Sequence, residues 1–366
     1  MDVQAYSDMI HSIVVPATLS QEDMIKCYQP LTEFLQAETP ERLYRFRRCD
    51  ENSIAAFDQD QLWFAPGCKM NDDYDALLYF NKEKIKTELK TFLEDEQFIA
   101  AFRAIGRGAE LPAHIQNLLS PEVLEVARTN IAQWDESAVK TSIKQFYDFI
   151  VNQIDVNDVA VQEIIQRTIK FACFSEAIES AAMWGYYADS GCGFALSYDF
   201  RNGGYTMCNS CLTGTLCPSY KSCLLAPVIY GDTCFDATKY ATWLIQQKAL
   251  QKILADRNVL PLYSYLQYIV PCPDLFMPTK VLLHKASEWG HEREWRLTCQ
   301  CNSPEFNQQE FSWAKKTPTA VYLGRKISPI YEKILRHIAV DKNIPVYKMQ
   351  IQRDSPSYRL YPEQIS

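Results

Sequence analysis

Trp289-Gly-His-Glu-Arg-Glu-Trp-Arg296 sets two carboxylates, Glu292 and Glu294, one residue apart among aromatics and arginines. In an extended strand alternate side chains share a face. Glu292, Glu294 and Arg296 are therefore expected on one side, and Arg293, Trp295 and Leu297 on the other. Two carboxylates held this close repel, and an apolar wall beside them raises one pKa, as acid/base or electrostatic catalysis requires. The plainer reading is that Arg293 and Arg296 neutralise the pair at a sheet edge.

Two other groups of residues have chemical potential. Cys208-Asn-Ser-Cys211, Cys217 and Cys223 put four thiols in one loop with Gly203, Gly204, Gly214 and Pro218. Cys-x-x-Cys is the common half of a tetrahedral zinc site, although the second half is wider than usual; a flexible loop of reduced thiols, or disulfides formed on purification, is the alternative. Zinc would give a loop poor in apolar residues a reason to fold. Asn71-Asp72 after a strand fits an Asx turn. Asp72 and Asp75 with Glu292 could instead gather around a divalent metal, as in a nuclease.

The elements that must position these residues can be read from pattern and punctuation. Residues 1–40 form an N-terminal helical cap of short amphipathic helices broken by Pro16 and Pro30. Leu43–Arg47 and Gln61–Ala65 are strands flanking a short helix that Asp50 caps. Residues 81–169 are charged and helix-periodic, and read as a helical insertion between core segments 41–80 and 170–352. Within the second segment, strands are expected at Lys170–Ser175, Gly193–Asp199, Ala226–Tyr230, about Arg293–Gln300, Ala320–Leu323 and Pro345–Gln350. Helices are expected at Ala181–Ala188, Ala237–Asp256 and Pro329–Ala339, and the Cys-rich loop spans 200–225. The fold class is α+β with a mixed or antiparallel sheet.

Composition bounds the function. A chain of 366 residues that is 47% hydrophobic, with only 12 glycines, has ample material for a core and is not disordered or fibrous. A net charge of −8 argues against binding nucleic acid with the whole surface, although a local basic groove survives an acidic average. No apolar run of about 18 residues predicts a membrane span, and the acidic start predicts a cytoplasmic chain. The 13 cysteines are accordingly expected as reduced thiols.

Taken together, these segments resemble a bacterial family, the domain of unknown function numbered 2971. The resemblance runs through Leu43-Tyr44-Arg45-Phe46-Arg47, Leu62–Pro66 with Met70-Asn71-Asp72-Asp73-Tyr74-Asp75, and Phe174-Ser175. It continues through Met183-Trp184, Tyr187-Ala188-Asp189, Gly193-Phe194 to Asp199, Glu292 with Glu294-Trp295-Arg296, and Tyr322-Leu323-Gly324. Ala65 and Asp73 depart from that family's pattern, which commonly has Ser and Pro there.

The order of early Arg, middle Phe-Ser and late Glu-x-Glu is also similar to that of ADP-ribosyltransferases. This second similarity implies an ADP-ribosyltransferase-like core acting on NAD, by ADP-ribosyl transfer or NAD hydrolysis, in a toxin or phage-defence setting. It further implies Glu294 and Glu292 as catalytic residues, with Tyr44, Arg45, Arg47, Asn71, Asp72, Ser175, Trp184 and Tyr187 holding the nucleotide. The implied partners are a small-molecule nucleotide and a protein or nucleic-acid acceptor. Two rival readings stand beside it: a metal-dependent nuclease or hydrolase, and a non-catalytic sensor or interaction module.

Overall fold

The computed structural model describes residues 2–96, 132–201, 206–207, 221–256, 271–300, 310–354 and 356–366, with single positions between 99 and 129. α1 (Val3–Ser12) starts where Asp2 accepts from the Gln4 and Ala5 amides, and α2 (Gln21–Glu38) where Ser20 accepts from Asp23. The sequence predicts a break at Pro30, but α2 runs through it. Pro30 and Lys26, whose carbonyl loses its amide partner, are both exposed, so the break in the hydrogen-bond ladder falls on the solvent side of the helix.

The strand, helix, strand opening is present as β1 (Leu43–Arg47), α3 (Glu51–Asp58) and β2 (Gln61–Pro66), with Asp50 capping α3 through the Ser53 amide. Next come α4 (Lys82–Glu94), α5 (Glu136–Gln162), α6 (Ile164–Thr168), β3 (Lys170–Ser175), α7 (Ala181–Tyr187) and β4 (Phe194–Tyr198). The chain continues with β5 (Thr206–Met207), β6 (Lys221–Pro227), β7 (Ile229–Gly231), α8 (Thr238–Asp256), α9 (Met277–Leu282), β8 (His284–Ala286) and β9 (Glu294–Gln300). β10 (Ser312–Lys315), β11 (Ala320–Leu323), α10 (Pro329–Asp341), β12 (Val346–Ile351) and β13 (Leu360–Gln364) complete it.

The main sheet has the order β13-β12-β11-β4-β1-β3-β9-β6-β5. Its ladders are antiparallel except β11 with β12, the pair joined through α10. The class is therefore α+β with a mixed, mostly antiparallel sheet. β7 and β8 form a separate parallel pair beside it.

Three apolar clusters hold the layers. The main core packs Tyr6, Ile10, Leu31, Leu335 and Ile338 from α1, α2 and α10 against Phe64, Phe174, Leu196, Trp295 and Leu297 of the sheet. A second gathers Phe80, Ile154, Phe171, Ala241 and Leu282 around α5, α8 and α9. The third seats α7, through Met183 and Trp184, on Tyr44, Phe46, Ala195 and Tyr322.

The sheet splits at β3. On the side away from β9, β1 pairs with β3 at Tyr44↔Ser175, while β2 pairs with the other end at Ala65↔Phe171 and Pro66↔Lys170. Among the described residues Ala172–Phe174 have no ladder partner on that side, and the wedge left there opens into the candidate site.

Candidate active site

A pocket of about 250 Å³ sits in the wedge. Of the residues singled out from sequence, Tyr44, Arg45, Arg47, Asn71, Ser175, Tyr187, Glu292 and Glu294 line it. Asp72 and Trp184 do not. Asp72 accepts the Tyr74 amide at 2.9 Å as an Asx turn, and Trp184 is buried in the third cluster with its indole N–H donating to the Ile178 carbonyl. Cys208, Cys211 and Cys217 lie outside the described residues. Cys223 is buried on β6 with its sulfur 3.1 Å from that of Cys299, its register partner on β9.

The glutamates reach the pocket differently from the sequence expectation. β9 begins at Glu294, not Arg293, and Glu292 ends a 3-10 turn (Ser287–Glu292). Arg293 between them adopts a left-handed conformation with φ 47° and points outward to Glu176 and Glu179. That reversal, rather than strand alternation, brings both carboxylates to one side. Trp295 and Leu297 enter the main core, as alternation from Glu294 requires. Ser175 fixes the turn: its hydroxyl donates to the Glu292 carbonyl at 2.5 Å and accepts from the Ala177 amide at 2.9 Å.

Lys285 was not legible as a site residue, yet it organises the acids. Its Nζ lies 2.6 Å from Glu292 Oε2, 3.2 Å from Glu294 Oε2 and 4.0 Å from Asp75 Oδ2. Fully buried Arg296 binds both oxygens of Asp75, at 2.6 and 2.8 Å, and both of Glu294, at 2.9 and 3.0 Å. It also donates to the Leu282 carbonyl at 2.6 Å. The other Glu292 oxygen accepts a short hydrogen bond from the Tyr187 hydroxyl, which accepts in turn from Asn71 Nδ2 at 2.9 Å.

These contacts set the ionisation order. Burial alone would raise Glu294, but Arg296 and Lys285 outweigh it and bring the carboxyl down to about 2. Burial, opposed by Lys285 and reinforced by Glu294, holds Glu292 above its ordinary value. Burial also raises Asp75, against the pull of Arg296. Burial pulls Lys285 down, but its carboxylate neighbours more than restore it. Three carboxylates share two cations; Asp75 and Glu292 are both raised, and of these Glu292 alone has no contact with Arg296 among the described residues.

The opposite wall has the reverse imbalance. Arg45 and Arg47 make no ion pair among the described residues. Arg45 Nη2 crosses the wedge to the Trp63 carbonyl at 2.6 Å, but Nη1 is buried with no hydrogen-bond partner. Burial first, and Arg47 second, push Arg45 down to about 9, and burial lowers Arg47 as well. A guanidinium stays protonated at neutral pH, so a residue that lines the pocket carries a buried donor on a charged group, unpartnered among the described residues. Such an orphan costs ~1–3 kcal/mol or more unless a partner meets it.

The acidic group does not fit a divalent ion. Lys285 Nζ stands among the three carboxylates, Asp75 gives both oxygens to Arg296, and Asp72 faces away. Among the described residues no cluster of three or more His, Cys, Asp or Glu side chains could hold a metal.

Comparisons with protein-family models, with curated proteins and with solved structures gave no match. Fold and site alone thus define the class: an α+β protein whose sheet divides around a pocket with one cationic and one acidic wall.

Proposed function

We propose that the pocket binds NAD and cleaves its nicotinamide–ribose bond, passing ADP-ribose to water or to an acceptor. The observation that carries this reading is Arg45 Nη1, a buried, unpartnered cationic donor on the wall opposite a carboxylate that burial keeps protonatable. An anion on Arg45 and Arg47 satisfies that donor, and the pyrophosphate of NAD supplies one. At about 250 Å³ the pocket is just below the ~300–1,000 Å³ of sites that enclose a small molecule. It therefore takes the nicotinamide riboside end and leaves the adenosine outside.

In the proposed step the C1′–N bond breaks and its electron pair leaves with neutral nicotinamide. The cation developing on the ribose is met by the carboxylate of Glu292. The attacking hydroxyl forms the new bond at C1′, and its proton passes to Glu292, whose raised pKa suits a base. Glu294 stays ionised and holds Lys285 and Arg296 in place; Tyr187, steered by Asn71, fixes the Glu292 rotamer.

Thermal unfolding with and without ~1 mM NAD tests the binding. Ligand at ~100 times its Kd adds about 2.7 kcal/mol, and Arg45→Met removes the shift. Glu292→Gln keeps the shift but lowers nicotinamide release ~100-fold or more. No stabilisation of the wild-type protein, either by NAD or by a non-hydrolysable analogue, sinks the proposal and favours a non-catalytic module.

A further inference from the structure

A groove away from the pocket carries a charge opposite to that of the whole chain. Its walls are α7, the 3-10 turn at Asp189–Gly191, the segment after β11 and the chain that joins β12 to β13. This trough has a volume of about 610 Å³. Arg325, Lys326 and Arg359 line it, all exposed, and none makes an ion pair among the described residues. In a chain of net charge −8, three unneutralised cations on one trough are a local reversal of potential.

An aromatic face lies among these cations. Tyr358 lines the trough, 99% exposed and directly beside Arg359 in the chain. That combination suits a single nucleic-acid strand, whose phosphates track the cations while a base stacks on the ring. An acidic peptide would use the charges and leave the ring unused.

The trough is also next to the pocket. Ala181, Trp184 and Gly185 of α7 line the trough, while Met183 and Tyr187 of the same helix line the pocket. One helix, ~10 Å across, separates the two.

We propose that this trough binds single-stranded nucleic acid and presents it beside the pocket. Its role as the ADP-ribose acceptor rests on the NAD reading above; the binding itself does not.

Fluorescence anisotropy with a labelled mixed-sequence oligonucleotide of ~12 nucleotides, in the absence of NAD, measures the trough alone. Binding is expected to weaken with salt, with a log–log slope of about −2 for three phosphate contacts on a single strand. Arg325→Glu with Arg359→Glu should weaken it ~10-fold or more, and Tyr358→Ala ~5-fold or more. Both variants change exposed side chains, so unchanged thermal unfolding should accompany the loss. Absence of binding at low salt, or binding that ignores all three substitutions, overturns the proposal. Equal affinity for a polyglutamate peptide of the same length, unaffected by Tyr358→Ala, also overturns it and assigns the trough to an acidic protein. If the oligonucleotide binds but is not modified in the presence of NAD, the acceptor role fails and the binding surface stands.

Discussion

Among single residues, Glu294 links the site most directly to stability. Its folded pKa, about 2, lies below the ordinary 4.5, so its ionised form is worth more in the folded state than in the unfolded chain. A depressed carboxyl contributes in full above its unfolded pKa, and the contribution is lost as pH falls from about 4.5 through about 2. The size is on the order of 3 kcal/mol for a group this deeply buried. Glu292 has the opposite sign: its pKa is raised, so its ionised form costs stability at neutral pH and acidification through that pKa relieves the cost. Glu294→Gln should therefore lower the urea midpoint most at neutral pH, by a free energy of about that size or more because Arg296 loses a partner. The gap between variant and wild type should close as pH falls towards 2. An equal gap at pH 7 and near pH 2 would show that Glu294 acts by packing rather than charge.

Among the elements, the β1–β4 ladder places the cationic wall, and Gly193 sets how closely β4 can approach. A Cβ built on Gly193 would lie 2.1 Å from the Arg47 carbonyl oxygen and 2.9 Å from that of Ala188, both backbone atoms that cannot rotate away. Gly193→Ala must push β1 and β4 apart at the end where Arg47 pairs with Phe194. We expect a loss of about 1–3 kcal/mol in chemical unfolding. NAD protection should fall beyond what the lost stability explains, because the guanidiniums shift with their strand. Wild-type stability in this variant would mean the strands separate without cost.

Most elements were legible because their signals are local. Asp50 before α3, the alternation in Leu43–Arg47 and the apolar run Lys170–Ser175 each mark an element within a few residues. The pairing was not legible, since β1 meets β3 and β4 across long stretches of chain. The short strands β5 and β8 carry too few residues for a periodic signal. Lys285 was hidden for that reason: it is one lysine on a three-residue strand, and only the fold shows that Glu292 and Glu294 return to it. Tyr44, Arg45, Arg47, Asn71, Ser175, Tyr187, Glu292 and Glu294 were singled out from sequence and line the pocket, whereas Asp72 and Trp184 were singled out and do not. Ser175 was not legible as the clip for Glu292, because that contact depends on the turn at Arg293.

On the scale of the whole molecule, the N-terminal helices are part of the main core, and through it they support the site. Tyr6, Ile10, Ile13 and Val15 are all buried in the cluster that also contains Trp295 and Leu297 of β9. The Tyr6 hydroxyl donates to the carbonyl of Pro227 at the end of β6. The Val15 amide donates to Asp274, whose carboxylate also holds buried Lys280, and Lys280 reaches back to the His11 carbonyl. His11 and His284 face each other through Nε2 at 2.9 Å, one residue before Lys285. Four buried side chains at ~1.5–3 kcal/mol each amount to ~6–12 kcal/mol, against a typical total stability of ~5–15 kcal/mol. Deleting residues 1–19 should therefore abolish the fold rather than remove an appendage. The truncated chain is expected to lose its near-ultraviolet circular dichroism and its cooperative urea transition. If it instead keeps a cooperative transition within ~2 kcal/mol of the full chain, the sheet and its other helices suffice without the N-terminal segment. The path of support from α1 through Asp274 and Lys280 to β8 would then be dispensable.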